Sequence, residues 1–343
     1  MNRLTLDAQL AAVFAAVDDC VELVDTDGKS VGTFVPPQRG KFTSPRPILD
    51  IAKAIPGLAA LARRAIRLHP RRGRAGSGES KIGGQLFWPD DDPWPVCETH
   101  GLPYSAILQV RADNLPAHAD IPFPPGRDTL QLLWCARSHE DGFPAATVRW
   151  RTISEVHCSN DHPQIEWNPD DFPDDEGFFL PQECMLHPEV VTEYPAFHDL
   201  PLALKNQVRK LDLSSVLEAL KARDDWRDSN DARDLYHDEL STAPGCKLAG
   251  HPHWIQNPAY PTCACGKKME HLLTLADHEP AIGRLLGTLH KRWWPVQASH
   301  LHHDEAEQQS RAIGWALGSG GSCFGFVCRS CAHWPVTFVW QSG

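Results

Sequence analysis

Lys81-Ile82-Gly83-Gly84, followed by Trp88, Pro95 and Cys97, returns later in the chain as Lys247-Leu248-Ala249-Gly250, Trp254, Pro261 and Cys263, in the same order and at the same spacing. Fixed offsets of this kind seldom arise by chance, so the chain reads as an internal duplication. Past each cysteine the correspondence slips by one residue and resumes, with Leu102 to Leu108 facing Lys267 to Leu273. A hydrophobic run ending in cysteine closes each copy, Leu130 to Cys135 in the first and Cys323 to Cys328 in the second. Both runs read as buried strands that emerge into a turn.

The copies thereby collect ligand-type side chains in pairs. Zinc takes four soft or borderline donors in a tetrahedron, and tight turns supply them two at a time. The second half offers Cys263-x-Cys265 and Cys328-x2-Cys331, four thiols so arranged, with Gly266 giving the first turn its backbone freedom. The first half offers a second, weaker set, Cys97-x2-His100 and Cys135-x3-His139. The alternatives are four buried reduced thiols packing as small hydrophobes and histidines that merely lie near turns.

A chain of 343 residues with 42% hydrophobic content can build a sizeable core or two fused ones. Eleven cysteines cannot all pair internally. The apolar run Leu10 to Val17 is flanked by Asp7, Asp18 and Asp19 and reads as a helix face, not a signal segment. No run approaches the roughly 18 to 20 apolar residues that cross a bilayer. These features predict a cytoplasmic protein whose close thiols hold metal. The net charge of -11 disfavours nucleic acid and favours a basic protein partner, with no membrane association expected.

The fold class expected is α+β and β-rich, with two pseudo-repeated halves behind an N-terminal helical and hairpin extension. Residues 1–78 form that extension: a helix through Leu6 to Val17, a hairpin about Asp27-Gly28, and a second helix after Pro56 with Leu58, Leu61, Ala62, Ala65 and Ile66 inward. Its outer side would carry Arg63, Arg64 and Arg67, and the next loop Arg71, Arg72 and Arg74. Such a cluster reads as a solvated face or a site for an acidic partner. Residues 79–160 form the first repeat, 161–240 an acidic linker and helix, and 241–343 the second repeat with its zinc site.

From Ser80 onward, about three quarters of the chain, the sequence resembles the YwqG-like family, bacterial proteins catalogued as a domain of unknown function. The resemblance is carried by Ser80 to Gly84 with Trp88-Pro89, Leu130 to Cys135, Lys247 to Gln256, Cys263 to Gly266, Met269 to Leu273 and Phe326 to Cys331. More distantly, the order of these motifs is similar to the programmed cell death protein 2 group of cytoplasmic chaperones. The resemblance implies a scaffold, with a chaperone-like role as one extension of it.

The sequence has no HExxH, Walker loop or dinucleotide fingerprint. Four thiolates would close a zinc coordination sphere and stabilise the fold. The expected function is therefore non-catalytic protein binding, chaperone-like or immunity-like, with Lys81, Gly84, Trp88, Lys247, Gly250 and Trp254 as candidate binding positions. The alternative is a metal-assisted hydrolase using the first-half Cys/His cluster with one ligand missing.

Overall fold

The computed structural model describes residues 21–24, 26, 30–34, 42–116, 123–140, 142–152, 179–214, 216, 232–280, 291–298, 301 and 303–343. The expected helix through Leu6 to Val17, the acidic run between 161 and 176, and a helix expected at 213–223 fall largely or wholly outside them. A first compact unit, residues 1–42, contains the expected hairpin, β1 (Val21–Val24) paired antiparallel with β2 (Ser30–Phe34). The second unit, residues 43–343, carries the duplication.

Two six-stranded antiparallel sheets make up that unit, as a β-rich α+β fold requires. In the first repeat, β5 (Lys81–Ile82), β6 (Ser105–Arg111), β7 (Thr129–Trp134) and β8 (Ala146–Arg151) form a meander. In the second, β11 (Lys247–Ala249), β12 (Glu270–Ala276), β13 (Ser322–Val327) and β14 (Val336–Gln341) pair in the same order. The correspondence extends to irregularities. The β6/β7 register shifts between Ala106 and Leu108, and the β12/β13 register shifts between His271 and Leu273, the matching positions. A bulge inserts an unpaired residue and bends its strand, so both copies bend at one place.

The remaining four strands correct the expectation of a helix after Pro56. Pro56–Leu61 forms only a short 3-10 turn, and Arg63–Arg67 is a strand, β3, continued by β4 (Arg71–Arg72). This segment runs antiparallel to β9 (Cys184–Met185) and β10 (Glu189–Glu193) in the same register on either side of a break at 68–70, from Arg63 opposite Glu193 to Arg72 opposite Cys184. β3 also pairs with β11, and β9 with β5, so each segment lends a strand to the sheet of the other repeat. Helical spacing of Leu58, Leu61, Ala65 and Ile66 lost to two flanking strands, β10 pairing along all of β3 and β11 along Ala65–Arg67, a tertiary override of local pattern.

The ribbon reveals part of the duplication absent from the motif comparison. Leu68-His69-Pro70 and Leu186-His187-Pro188 occupy corresponding places at its centre, where the His187 amide donates to the Leu68 carbonyl at 2.8 Å. Arg67 is fully buried: Nη1 donates to Ser44 Oγ at 2.7 Å and to the Trp293 carbonyl at 2.9 Å, and Nη2 lies 3.6 Å from Glu279. The arginine cluster is therefore not one solvated face.

Residues of both sheets, among them Ile66, Ile82, Ile107, Leu132, Leu248, Leu273 and Val327, share one hydrophobic core. Trp134 joins it with its ring 5.2 Å from that of Trp315 and 5.4 Å from that of Trp340. A separate cluster gathers Ile55, Leu58, Val208, Leu235 and Tyr236 around the helix Leu202–Arg209.

Candidate metal centres

Each Lys-x-x-Gly copy leads from its strand into a left-handed turn. Gly83 and Gly84 have φ of 66° and 66°; Ala249 and Gly250 have 55° and 69°. An added Cβ at Gly250 would stand 2.4 Å from Glu193 Oε2 and 2.6 Å from Ala65 Cβ, while at Gly84 it would stand 2.5 Å from the Glu183 carboxyl carbon. Only glycine fits both the dihedral and the space.

The two lysines are buried alike but paired differently. Lys247 Nζ meets Glu193 Oε1 at 2.6 Å with both side chains fully buried, and that carboxylate also accepts from the Ala243 amide at 2.8 Å and the His251 amide at 2.9 Å. Lys81 Nζ donates to the Ala75 carbonyl at 3.1 Å. Burial holds both ammonium groups below the ordinary lysine range. Trp88 and Trp254 are buried too. Trp254 stacks near Phe324 and Phe326, at 4.9 and 5.7 Å, and its cluster includes the sulfurs of Cys263 and Cys328. Trp88 packs with Leu86 and Leu133 and lies under the Arg151 guanidinium at 4.1 Å. As placed, these candidate binding positions make internal contacts.

From there each copy reaches a tight turn. In the first, Val96 bridges Pro103; in the second, Thr262 bridges Lys268. Gly101 donates back to the Cys97 carbonyl and Gly266 to the Cys263 carbonyl, both at 2.8 Å, with φ of 66° and 81°. The first turn is one residue longer, and this is the slip seen in the sequence: His100 stands one position farther from its cysteine than Cys265 does. The other pair comes from the hairpin after β7 or β13, where Cys135 and Cys328 follow directly and His139 and Cys331 lie on the turn.

The side chains converge. Cys97, His100, Cys135 and His139 form one group and Cys263, Cys265, Cys328 and Cys331 another, with the donor atoms in each within 4.8 Å of one another. In the first, Cys97 Sγ is 3.7 Å from His100 Nδ1 and 3.5 Å from His139 Nε2, and Cys135 Sγ is 3.3 Å from His100 Nδ1. In the second, the Cys263–Cys331, Cys265–Cys328 and Cys328–Cys331 sulfurs are 3.8, 3.6 and 3.8 Å apart. Each quartet could hold a metal ion.

Electrostatics separates the quartets. Burial pushes the Cys135 thiol up to about 11. In the second quartet the Lys267 amide, with help from the neighbouring thiols, brings exposed Cys265 down to about 7, while sharing its proton with Cys265 raises Cys331 to about 12. One thiolate thus forms readily while Cys328 and Cys331 resist. A divalent cation reverses that resistance, because a coordinated thiol is deprotonated outright.

Fold and sites together define a duplicated two-sheet protein with a four-donor turn on each half. The chain belongs to the family described as a domain of unknown function, DUF1963, which matches residues 80–291. The matched span takes in Cys97, His100, Cys135, His139, Cys263 and Cys265 and stops before Cys328 and Cys331. No curated protein matches the chain. No helix among the described residues is long and apolar enough to cross a membrane.

Proposed function

We propose that this is a zinc-stabilised, non-catalytic protein-binding protein of the YwqG-like type, acting in the cytoplasm in a chaperone-like or immunity-like role. The observation that carries the metal reading is the spacing of the donors. Zinc–thiolate bonds of about 2.3 Å and zinc–imidazole bonds of about 2.0 to 2.1 Å imply tetrahedral edges of about 3.8 Å between sulfurs and about 3.6 Å between sulfur and nitrogen. The sulfur pairs at 3.6 to 3.8 Å and the sulfur–nitrogen pairs at 3.3 to 3.7 Å fit these edges. Both centres have a full complement of protein donors, the pattern of sites that stabilise folds.

A hydrolase at the first centre would need three protein donors and a bound water. With His139 as a fourth donor, that alternative has no open position to use. Binding is supported by the net charge of -11 and by Val96, an exposed apolar side chain next to Cys97. The family resemblance points the same way, and a basic client fits the charge.

The test is capture from native lysate on the zinc-loaded full chain at several salt concentrations. A stoichiometric basic protein that dissociates as salt rises is expected. No stoichiometric protein at any salt would overturn the binding reading. Elemental analysis checks the metal reading separately, with two zinc ions per chain expected.

A further inference from the structure

The two quartets differ in how their sulfurs meet solvent. Cys97 is 1% exposed and Cys135 is fully buried, and each is next to imidazole nitrogen. Cys265 is exposed at the tip of its turn, beside Gly266, around whose missing Cβ no described atom outside its own chain neighbours lies within 4 Å. Its sulfur is 3.6 Å from that of Cys328, which sits 3% exposed at the end of β13. The second quartet thus presents one accessible sulfur with a second directly behind it.

Charge reinforces the difference. Zinc held by two thiolates and two imidazoles is neutral overall, whereas zinc held by four thiolates keeps a double negative charge on its sulfurs. Electron-rich, accessible sulfur is the kind that hydroperoxides attack.

We propose that Cys265 is a site of oxidative modification by hydrogen peroxide, and that its oxidation to a disulfide with Cys328 releases the zinc of the second quartet while the first quartet keeps its own. This rests on the metal reading above. The Cys265 thiolate attacks one peroxide oxygen, breaking the O–O bond to give a sulfenic acid and hydroxide. The Cys328 thiolate then attacks the sulfenic sulfur, forming the S–S bond and expelling a second hydroxide. Two thiolates lose two electrons and one peroxide gains them. Cys263 and Cys331 remain as two thiols, too few to hold the ion, and the zinc leaves as the free cation.

The experiment uses the zinc-loaded full chain. Hydrogen peroxide is added while a chromogenic chelator reports released zinc, and peptide mapping after alkylation locates the disulfide. The expected result is release of one of two zinc ions, at least roughly tenfold faster than the other. A Cys265–Cys328 disulfide should appear, Cys97 and Cys135 should stay alkylatable after denaturation, and a dithiol with added zinc should restore the starting count. Equal release from both quartets, retention of both ions, or oxidation beginning at Cys97 or Cys135 would overturn the proposal. A Cys328→Ser chain with an unchanged zinc count would instead overturn the metal reading of this quartet. A chain that carries two ions and keeps both under peroxide overturns the oxidation step alone.

Discussion

Replacing Lys247 by Met asks whether the two copies of the lysine motif hold the fold in the same way. The side chains are similar in length, so the change removes a charge with little change in packing. At Lys247 it strands the Glu193 carboxylate, fully buried, with the Ala243 and His251 amides as its remaining donors among the described residues. Breaking a buried ion pair by removing one partner costs about 3 to 5 kcal/mol. At Lys81 the partner is a neutral carbonyl, that of Ala75. Losing a hydrogen bond to a charged group costs about 1.5 to 3 kcal/mol, and the newly buried methyl end returns about 1 kcal/mol. The same return applies at Lys247, so Lys81→Met should cost about 0.5 to 2 kcal/mol and Lys247→Met about 2 to 4 kcal/mol, about 2 kcal/mol apart at mid-range. Urea unfolding in buffer with zinc, followed by circular dichroism, measures both. At an m value of about 2 to 3 kcal/mol per molar the midpoints should differ by roughly 1 M, with m unchanged. Midpoints within about 0.2 M of each other, or a larger loss at Lys81, would refute the reasoning.

Three further outcomes are expected. Gly250→Ala should cost about 3 kcal/mol, because a left-handed φ adds strain to a clash with the buried Glu193 and Ala65, while Gly84→Ala should cost about 1 to 2 kcal/mol because half-buried Glu183 can swing aside; thermal melts of the two variants decide it. Cys135→Ser and Cys328→Ser should each lower the zinc count by one and the double variant should abolish it, with melting temperature falling in parallel on elemental analysis and calorimetry. His69 and His251 are held neutral by burial, each down at about 3, so the unfolded chain binds more protons below its histidine pKa of about 6.5. Stability is then complete above about pH 6.5 and lost as pH falls from there toward 3, by up to about 1.4 kcal/mol per pH unit for each residue. Replacing His251 by Gln should flatten the slope measured between pH 7 and 5 by that amount, and an unchanged slope would reject the assignment.

Much of the scaffold and both quartets were legible in the residues. The Lys-x-x-Gly to Cys offsets predict one local path run twice, and the paired strands, the matching bulges and the two turns follow it. Ligand pairs are local facts, since Cys263 and Cys265 share one turn and Cys328 and Cys331 another. Local pattern failed between Pro56 and Arg67, where helical spacing gives way to a strand. The Leu-His-Pro pair was visible as sequence, but three residues at so long a separation carry little weight until the ribbon brings them face to face.

The chain by itself determined the repeat, the strands of each meander and which cysteines and histidines pair, because period, turn glycines and spacing act over a few residues. Only the tertiary structure decided that each repeat gives a strand to the other's sheet, that Arg67 is buried, and that Lys247 has a carboxylate where Lys81 has a carbonyl. The strand exchange and the burial of Arg67 depend on segments more than a hundred residues apart competing for the same backbone groups, and the lysine pairings on which buried acceptor the fold brings within reach, and neither leaves a mark on local spacing.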